Sequence, residues 1–255
     1  MSPSLRIAMF NTDTLVPTDL LVAAASRCVP DLTIECTEYD IQKFEYPPSL
    51  VDVDVILVTG SASSSCDADE WIRRLDDYVR DVYKNHRHSL LREYGVCVEK
   101  DPKGYELGVK EIRLHGGFRK TLANGSAFSR EIPDSLRVQM IHADHVVIPN
   151  PEALPQNWML VGATDHCAVQ GIYEPARIFM LQGHFEFNRF VNMGILKVFG
   201  LKWDPQMLQD GLDAVDADDD AEFAAELVLQ FMLEKDGAED ATHRKVTGLL
   251  SPPLG

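Results

Sequence analysis

The run at residues 53–59, nearly all apolar and closed by Gly60 and Ser61, constrains this chain more than any other stretch. A strand with one wet face alternates apolar and polar residues. A continuous apolar run is buried on both faces, as in a central parallel strand. Its surroundings fit that role. Residues 5–10 read as a buried strand, residues 18–27 as an Ala-rich helix closed by Pro30, and residues 32–38 as a strand alternating through Leu32, Ile34 and Cys36. Strands and helices taking turns along a chain imply an α/β fold with a three-layer, doubly wound, mostly parallel sheet.

Beyond the central run, Trp71, Ile72, Leu75, Val79, Val82 and Tyr83 share one helical face, and Arg73, Arg74, Asp76, Asp77 and Arg80 share the other. Asp67 and Glu70 stand three apart before this helix, in the spacing of a capping box. Short strands are expected at residues 96–99, 109–114, 136–141, 146–148, 158–163, 168–173 and 178–182. Helices are expected at residues 188–198 and from Asp219 onward, the latter lined by Phe223, Leu227, Val228, Phe231 and Met232. No repeat or linker splits the chain. Residues 1–200 are expected to form the main domain, residues 201–236 an acidic segment and helix packed on it, and residues 237–255, with Pro252 and Pro253, a disordered tail.

Composition narrows the function classes. A chain of 255 residues with 45% hydrophobic residues can bury a sizeable core. Apolar stretches such as residues 56–58 and 178–181 fall far short of the ~20 residues a membrane helix needs. The first ten residues lead directly into a strand and lack the pattern of a secretory signal. Cys28, Cys36, Cys66, Cys97 and Cys167 are scattered, with no Cys-x-x-Cys, so a reduced cytoplasmic protein without a disulfide framework is expected. Thirteen acidic residues and one lysine lie between Asp204 and Asp240, so twelve of the sixteen net negative charges sit in one C-terminal block. An acidic surface disfavours nucleic acid and anionic membranes as partners. The block itself reads as a solvated surface with a helix start.

Three short constellations carry chemistry. Thr59-Gly60-Ser61 follows a buried strand, where glycine permits a sharp turn that aims N–H groups into a cleft, a possible oxyanion loop. His142, Asp144 and His145 cluster at a strand end; no third or fourth ligand stands at defined spacing, and the expectation is no metal. In Gln182-Gly183-His184-Phe185-Glu186-Phe187 a buried strand ends at glycine, and His184 and Glu186 stand two apart on one side of extended chain. A carboxylate on one imidazole nitrogen fixes the tautomer and leaves the other as a base. The C-terminal ends of parallel strands are where α/β sheets place their sites.

Taken in order, these segments resemble the class I glutamine amidotransferases, in the single-domain branch similar to the amidase half of GMP synthase, over residues 5–199. Val55 to Ser63 with Asp69-Glu70-Trp71-Ile72 looks like the oxyanion strand and following helix, and Val98 to Gly108 like the segment downstream of the nucleophile. His142-Ala143-Asp144-His145-Val146 resembles the stretch beside the bound glutamine, and Gln182 to Phe187 the one carrying the catalytic His and Glu. The resemblance implies a flavodoxin-like fold and Cys-His-Glu chemistry. His184 would be the base and Glu186 its orienter, Gly60 and Ser61 the oxyanion loop, and Asp144 and His142 neighbours of glutamine. It implies no cofactor, and glutamine as the small-molecule partner. No Gly-x-x-x-x-Gly-Lys motif is present, so amidation of an acceptor would need a synthetase or other acceptor enzyme. The branch is familiar from fungi, including members associated with nitrogen-rich secondary metabolites such as chrysogine.

The family carries its nucleophile on a Gly-x-Cys-x-Gly-His-Gln turn between a strand and a helix. Here the helix ending near Asn85-His86-Arg87-His88 is separated from Val98 by only Ser89 to Cys97. A strand and helix need roughly 15–20 residues. The sequence is therefore expected to lack the nucleophile strand, turn and helix, with Cys97 either a displaced nucleophile or the start of the downstream strand. Three readings stay open: a chain short of a segment, a pseudoenzyme binding glutamine or a partner protein, and an enzyme using Cys97.

Overall fold

The computed structural model describes residues 3–12, 17–65, 67–84, 97–124, 131–150, 154–234 and 245–249. Three parallel strands begin the sheet: β1 (Ser4–Asn11), β2 (Thr33–Asp40) and β3 (Val55–Val58). β1 lies between the other two, with Ile7 opposite both Cys36 and Val55. Their alternation sorts two cores. Leu5, Ile7, Met9, Val55 and Leu57 face α1 (Asp19–Cys28) and α6 (Ala221–Leu233). Ala8, Phe10 and Ile56 face Val82 and the partly buried Trp71, Leu75 and Tyr78 of α2 (Glu70–Lys84). Burying one such side chain contributes about 1.5–3 kcal/mol, so a layer of helices on each face is the low-energy way to cover a strand that is apolar on both.

The far half of the sheet comes from later in the chain. β10 (Gly171–Glu174) runs antiparallel to both β8 (Met159–Leu160) and β11 (Ile178–Leu181). Among the described residues the order is β2-β1-β3-β12-β11-β10-β8. β12 (Lys245–Leu249) is parallel to both neighbours, with Val246 opposite Ile56 on β3 and Ile178 on β11. This changes two expectations. The place between β3 and β11, where a missing strand would leave a gap, is filled. Residues 245–249, expected in the disordered tail, form the strand that fills it. The physical reason is backbone pairing: a gap between two buried strands would leave a ladder of N–H and C=O groups without partners.

Two small sheets flank the main one. β5 (Glu106–Leu114) and β6 (Ser135–His142) form an antiparallel pair, to which β9 (Gly162–Ala163) adds. β4 (Cys97–Lys100) pairs antiparallel with β7 (Asp144–Val147). α3 (Gly116–Asn124) buries Phe118 and Leu122 in the main core. α4 (Arg189–Phe199) and α5 (Pro205–Val215) enclose a separate cluster of Leu107, Ile141, Phe187, Leu196 and Val215.

Several local expectations shift. The strand expected at residues 158–163 is two short strands, β8 and β9. Asp67 does not form a capping box with Glu70; its carboxylate accepts from the Ser64 N–H at 2.7 Å, capping the preceding turn. The acidic block is more than a solvated surface. Asp204 caps α5 by accepting from the N–H groups of Gln206 and Met207, and Asp220 pairs with Arg137 at 2.9 Å. Burial pushes the Asp220 carboxyl up, and hydrogen bonds from Arg137 more than offset this, leaving it below the ordinary range. No helix among the described residues is long and apolar enough to cross a membrane.

Candidate functional site

His184 and Glu186 follow directly from the end of β11. The His184 N–H donates to the Gln139 carbonyl at 2.9 Å, an isolated bridge that fastens the turn to β6. Gly183 makes this approach possible. A Cβ there would stand 2.4 Å from Val138 Cγ2 and 3.1 Å from the Met140 side chain. The His184 imidazole Nδ1 lies 2.7 Å from Glu186 Oε1, and its ring stacks on Phe187 with centroids 3.8 Å apart and planes 2° off parallel. The two side chains are 4% and 1% exposed, so the pair is shut away from solvent. In such surroundings the carboxylate holds the ring by a short hydrogen bond at Nδ1, which fixes its orientation. Glu186 Oε2 has no hydrogen-bond partner among the described residues.

Gln139 backs this turn. It is fully buried; its Oε1 accepts from Asn192 Nδ2 at 2.8 Å, and its Nε2 donates to Asp219 Oδ2 at 2.9 Å. The acidic block therefore reaches the rear of the His184 turn through Asp219.

The glycine turn after β3 is anchored from β1. Thr12 donates its hydroxyl to the Gly60 carbonyl at 2.6 Å and its N–H to Thr59 Oγ1 at 3.1 Å. Ser61 Oγ accepts from the Ser63 N–H at 2.9 Å. Ser64 Oγ then donates to Asp144 Oδ2 at 2.9 Å, joining the Gly60 loop to the second constellation. Asp144 is 1% exposed and its Oδ1 lies 2.9 Å from Lys100 Nζ.

His142 is wholly buried. Its Nε2 faces Glu106 Oε2 at 3.0 Å, and its Nδ1 faces the Asp144 carbonyl at 3.0 Å. Glu106 also accepts from Thr164 Oγ1 and Gln170 Nε2, each at 2.6 Å. Burial pushes the Glu106 carboxyl up, but hydrogen bonds from His142, Thr164 and Gln170 bring its pKa below the ordinary value. Gln182 ties this network to the end of β11: its Nε2 lies 3.0 Å from His142 Nδ1 and donates to the Asp144 carbonyl at 3.2 Å. Sequence reasoning missed Glu106, Thr164, Gln170 and Gln139 as supports. Glu106 lies within the segment 98–108 that carries the resemblance, and the others follow no motif spacing.

Cys97 opens β4, exposed, opposite Val147 in a sheet separate from that of β11. Cys97 is thus the first residue of a strand, and among the described residues no helix N-terminus, the feature that lowers a thiol's pKa, adjoins it. Of the two places the sequence left open for Cys97, this position matches the start of the downstream strand. Cys28 ends α1, Cys36 lies on β2 at the sheet edge, and Cys167 is buried in the loop after β9. Burial pushes the Cys36 and Cys167 thiols up to about 11, so both stay protonated near neutrality. Cys66 lies outside the described residues.

No family model matches the chain. A glutamine amidotransferase-like protein of Schizosaccharomyces pombe is 26% identical over 207 residues, covering 76% of each chain. Among solved structures, a glutamine amido transferase from Methylobacillus flagellatus superposes with a TM-score of 0.63 at 14% identity, over 95% of this chain and 100% of that one. The protein SMU.1228c superposes with a TM-score of 0.61 at 15% identity, over 89% and 98%. The solved structures share the fold of this chain, and with the ordered motifs around Gly60, Asp144 and His184 the yeast relative makes the chain similar to glutamine amidotransferase-like proteins.

Proposed function

We propose that this chain keeps the ligand site of a glutamine amidotransferase without its covalent chemistry. It binds glutamine, or a similar side-chain amide, between the Gly60–Ser61 loop, Asp144 and the His184–Glu186 pair, and does not hydrolyse it. One observation carries this reading: residues 245–249, from the C-terminal end of the chain, provide the strand between β3 and β11. The resemblance would have that strand run into the cysteine turn. None of the four described cysteines follows a strand at that place. The binding scaffold does not depend on the thiol, because Asp144, Ser64, Gln182 and His142 are held by each other.

A second reading is favoured by the intact 2.7 Å His184–Glu186 contact. A cysteine thiol would give its proton to His184 and attack the amide carbon as thiolate, His184 would return that proton to the departing ammonia, and water would then release glutamate from the thioester. That reading supplies ammonia to an acceptor enzyme, in a fungal pathway to a nitrogen-rich secondary metabolite on the family's pattern. Calorimetric glutamine titration and glutamate release, run on the same preparation, separate the two. The first predicts saturable binding, weakened by His184→Ala, with no glutamate above buffer. Glutamate release that His184→Ala abolishes would refute it in favour of the second.

A further inference from the structure

Three donor atoms of different chemistry meet beside the site but outside it. Asp101 follows β4, His145 is on β7 and Cys167 is in the loop after β9. One ligand atom from each lies within 4.8 Å of the others. Asp101 Oδ2 is 3.3 Å from His145 Nδ1 and 3.5 Å from His166 Nε2. The 3.3 Å between Asp101 and His145 matches one edge of a tetrahedron with metal–ligand bonds of roughly 2.0–2.1 Å, and Cys167 Sγ stands within 4.8 Å of both, close enough for a small shift to close the set. The Asp101 side chain is 2% exposed, yet Oδ2 accepts no hydrogen bond among the described residues. A buried carboxylate oxygen without a donor is costly unless a cation compensates it.

The surroundings hold these donors in place. The other imidazole nitrogen of His145, Nε2, faces Glu99 Oε1 at 3.4 Å, the carboxylate-behind-histidine arrangement that orients metal-binding imidazoles. Asp101 Oδ1 accepts from the Lys103 N–H at 2.8 Å, and the Asp101 N–H donates to the Ala143 carbonyl at 2.8 Å. Lys103 Nζ donates to the carbonyls of Asp165 and His166, tying the Asp101 turn to the loop that carries Cys167. The Cys167 N–H donates to Thr164 Oγ1 at 3.0 Å. Linear spacing around His142 provided no third ligand; folding brings Asp101 and Cys167 to His145.

We propose that Asp101, His145 and Cys167 bind one divalent cation of the zinc class. Mixed carboxylate, imidazole and thiolate ligands suit zinc better than magnesium or calcium, which take oxygen donors. His166, whose Nε2 also lies 3.2 Å from the Gly104 carbonyl, stands beside the fourth position. On binding, the Cys167 thiol loses its proton to buffer and a metal–sulfur bond replaces the S–H contacts to the Val169 carbonyl and Gln182 Oε1; no oxidation state changes. The cation would clamp the Asp101 turn, β7 and the 164–170 loop. The same segments carry Asp144, Thr164 and Gln170, so the clamp would brace the ligand network. This assignment does not depend on the proposed function.

The test is a titration of the reduced, purified full chain with Co²⁺, followed by Zn²⁺. The expected result is a sulfur-to-cobalt charge-transfer band that saturates at one equivalent and is erased by one equivalent of Zn²⁺. Cys167→Ser removes the band, Asp101→Asn and His145→Ala weaken binding at least tenfold, and Cys36→Ser and Cys97→Ser leave it intact. A wild-type protein without the band overturns the assignment, whatever the variants do. So does a Cys167→Ser or Asp101→Asn protein with wild-type affinity.

Discussion

Replacing Thr247 with proline tests the central strand. Thr247 lies mid-strand, opposite Leu57 on β3 and Phe179 on β11. Proline removes its N–H and, away from a sheet edge, has no place in a ladder. Losing one ladder hydrogen bond costs about 1 kcal/mol, and the acceptor left buried without a donor costs about 1–3 kcal/mol more. The sum, about 2–4 kcal/mol, is a large share of the 5–15 kcal/mol typical of a folded domain. At about 2–4 °C per kcal/mol for a chain of this size, the midpoint of thermal unfolding should fall by about 4–16 °C. Circular dichroism melts measure this, and amide hydrogen exchange localises it to residues 55–58 and 178–181 on the flanking strands. Thr247→Val, which keeps the N–H and a β-branched side chain, should melt within about 2 °C of wild type. A proline variant that melts within 1 °C of wild type, with unchanged exchange at both neighbours, would show that β12 does not occupy that place.

Other outcomes follow from the site. Gly183→Ala should cost about 1–3 kcal/mol by overpacking against Val138, and Val138→Ala should recover part of it; equal stability of Gly183→Ala and wild type in urea would refute the close approach. Glu106 has a folded pKa below its ordinary 4.5, so its contribution is present above the unfolded value and is lost as pH falls through the folded one. The stability gap between wild type and Glu106→Gln should therefore be flat above about pH 5 and shrink below about pH 4.5, measured by urea unfolding across that range. Tyr173→Phe should cost about 1–3 kcal/mol, because the Tyr173 hydroxyl donates to buried Glu234 at 2.6 Å and leaves that carboxylate short of a donor; chemical denaturation reads it directly.

How much of this was legible in the chain depends on the range of the forces involved. His184 and Glu186 were readable because the period of two in extended chain puts them on one side of a strand end, and the structure gives a 2.7 Å contact. α2 was readable because six apolar residues repeat at helical spacing over a charged face. α3 was hidden by its opening Gly116-Gly117, and α5 by an acidic stretch whose Asp204 works as a cap. β12 was hidden more deeply. Its Lys-Val-Thr-Gly-Leu is short and mixed, and its place is set by two strands more than sixty residues away. The Glu106 network joins side chains from residues 106, 142, 164, 170 and 182, which no local pattern connects.

The central claim is a site that retains its histidine and carboxylate but has none of the described cysteines poised to attack. Intact-mass analysis after incubation with an electrophilic glutamine analogue measures that most directly. The prediction is an unmodified chain, with glutamine still binding in the parallel calorimetric titration. One covalent adduct per chain, blocked by glutamine and lost in His184→Ala, would contradict it, and peptide mapping of that adduct would name the nucleophile.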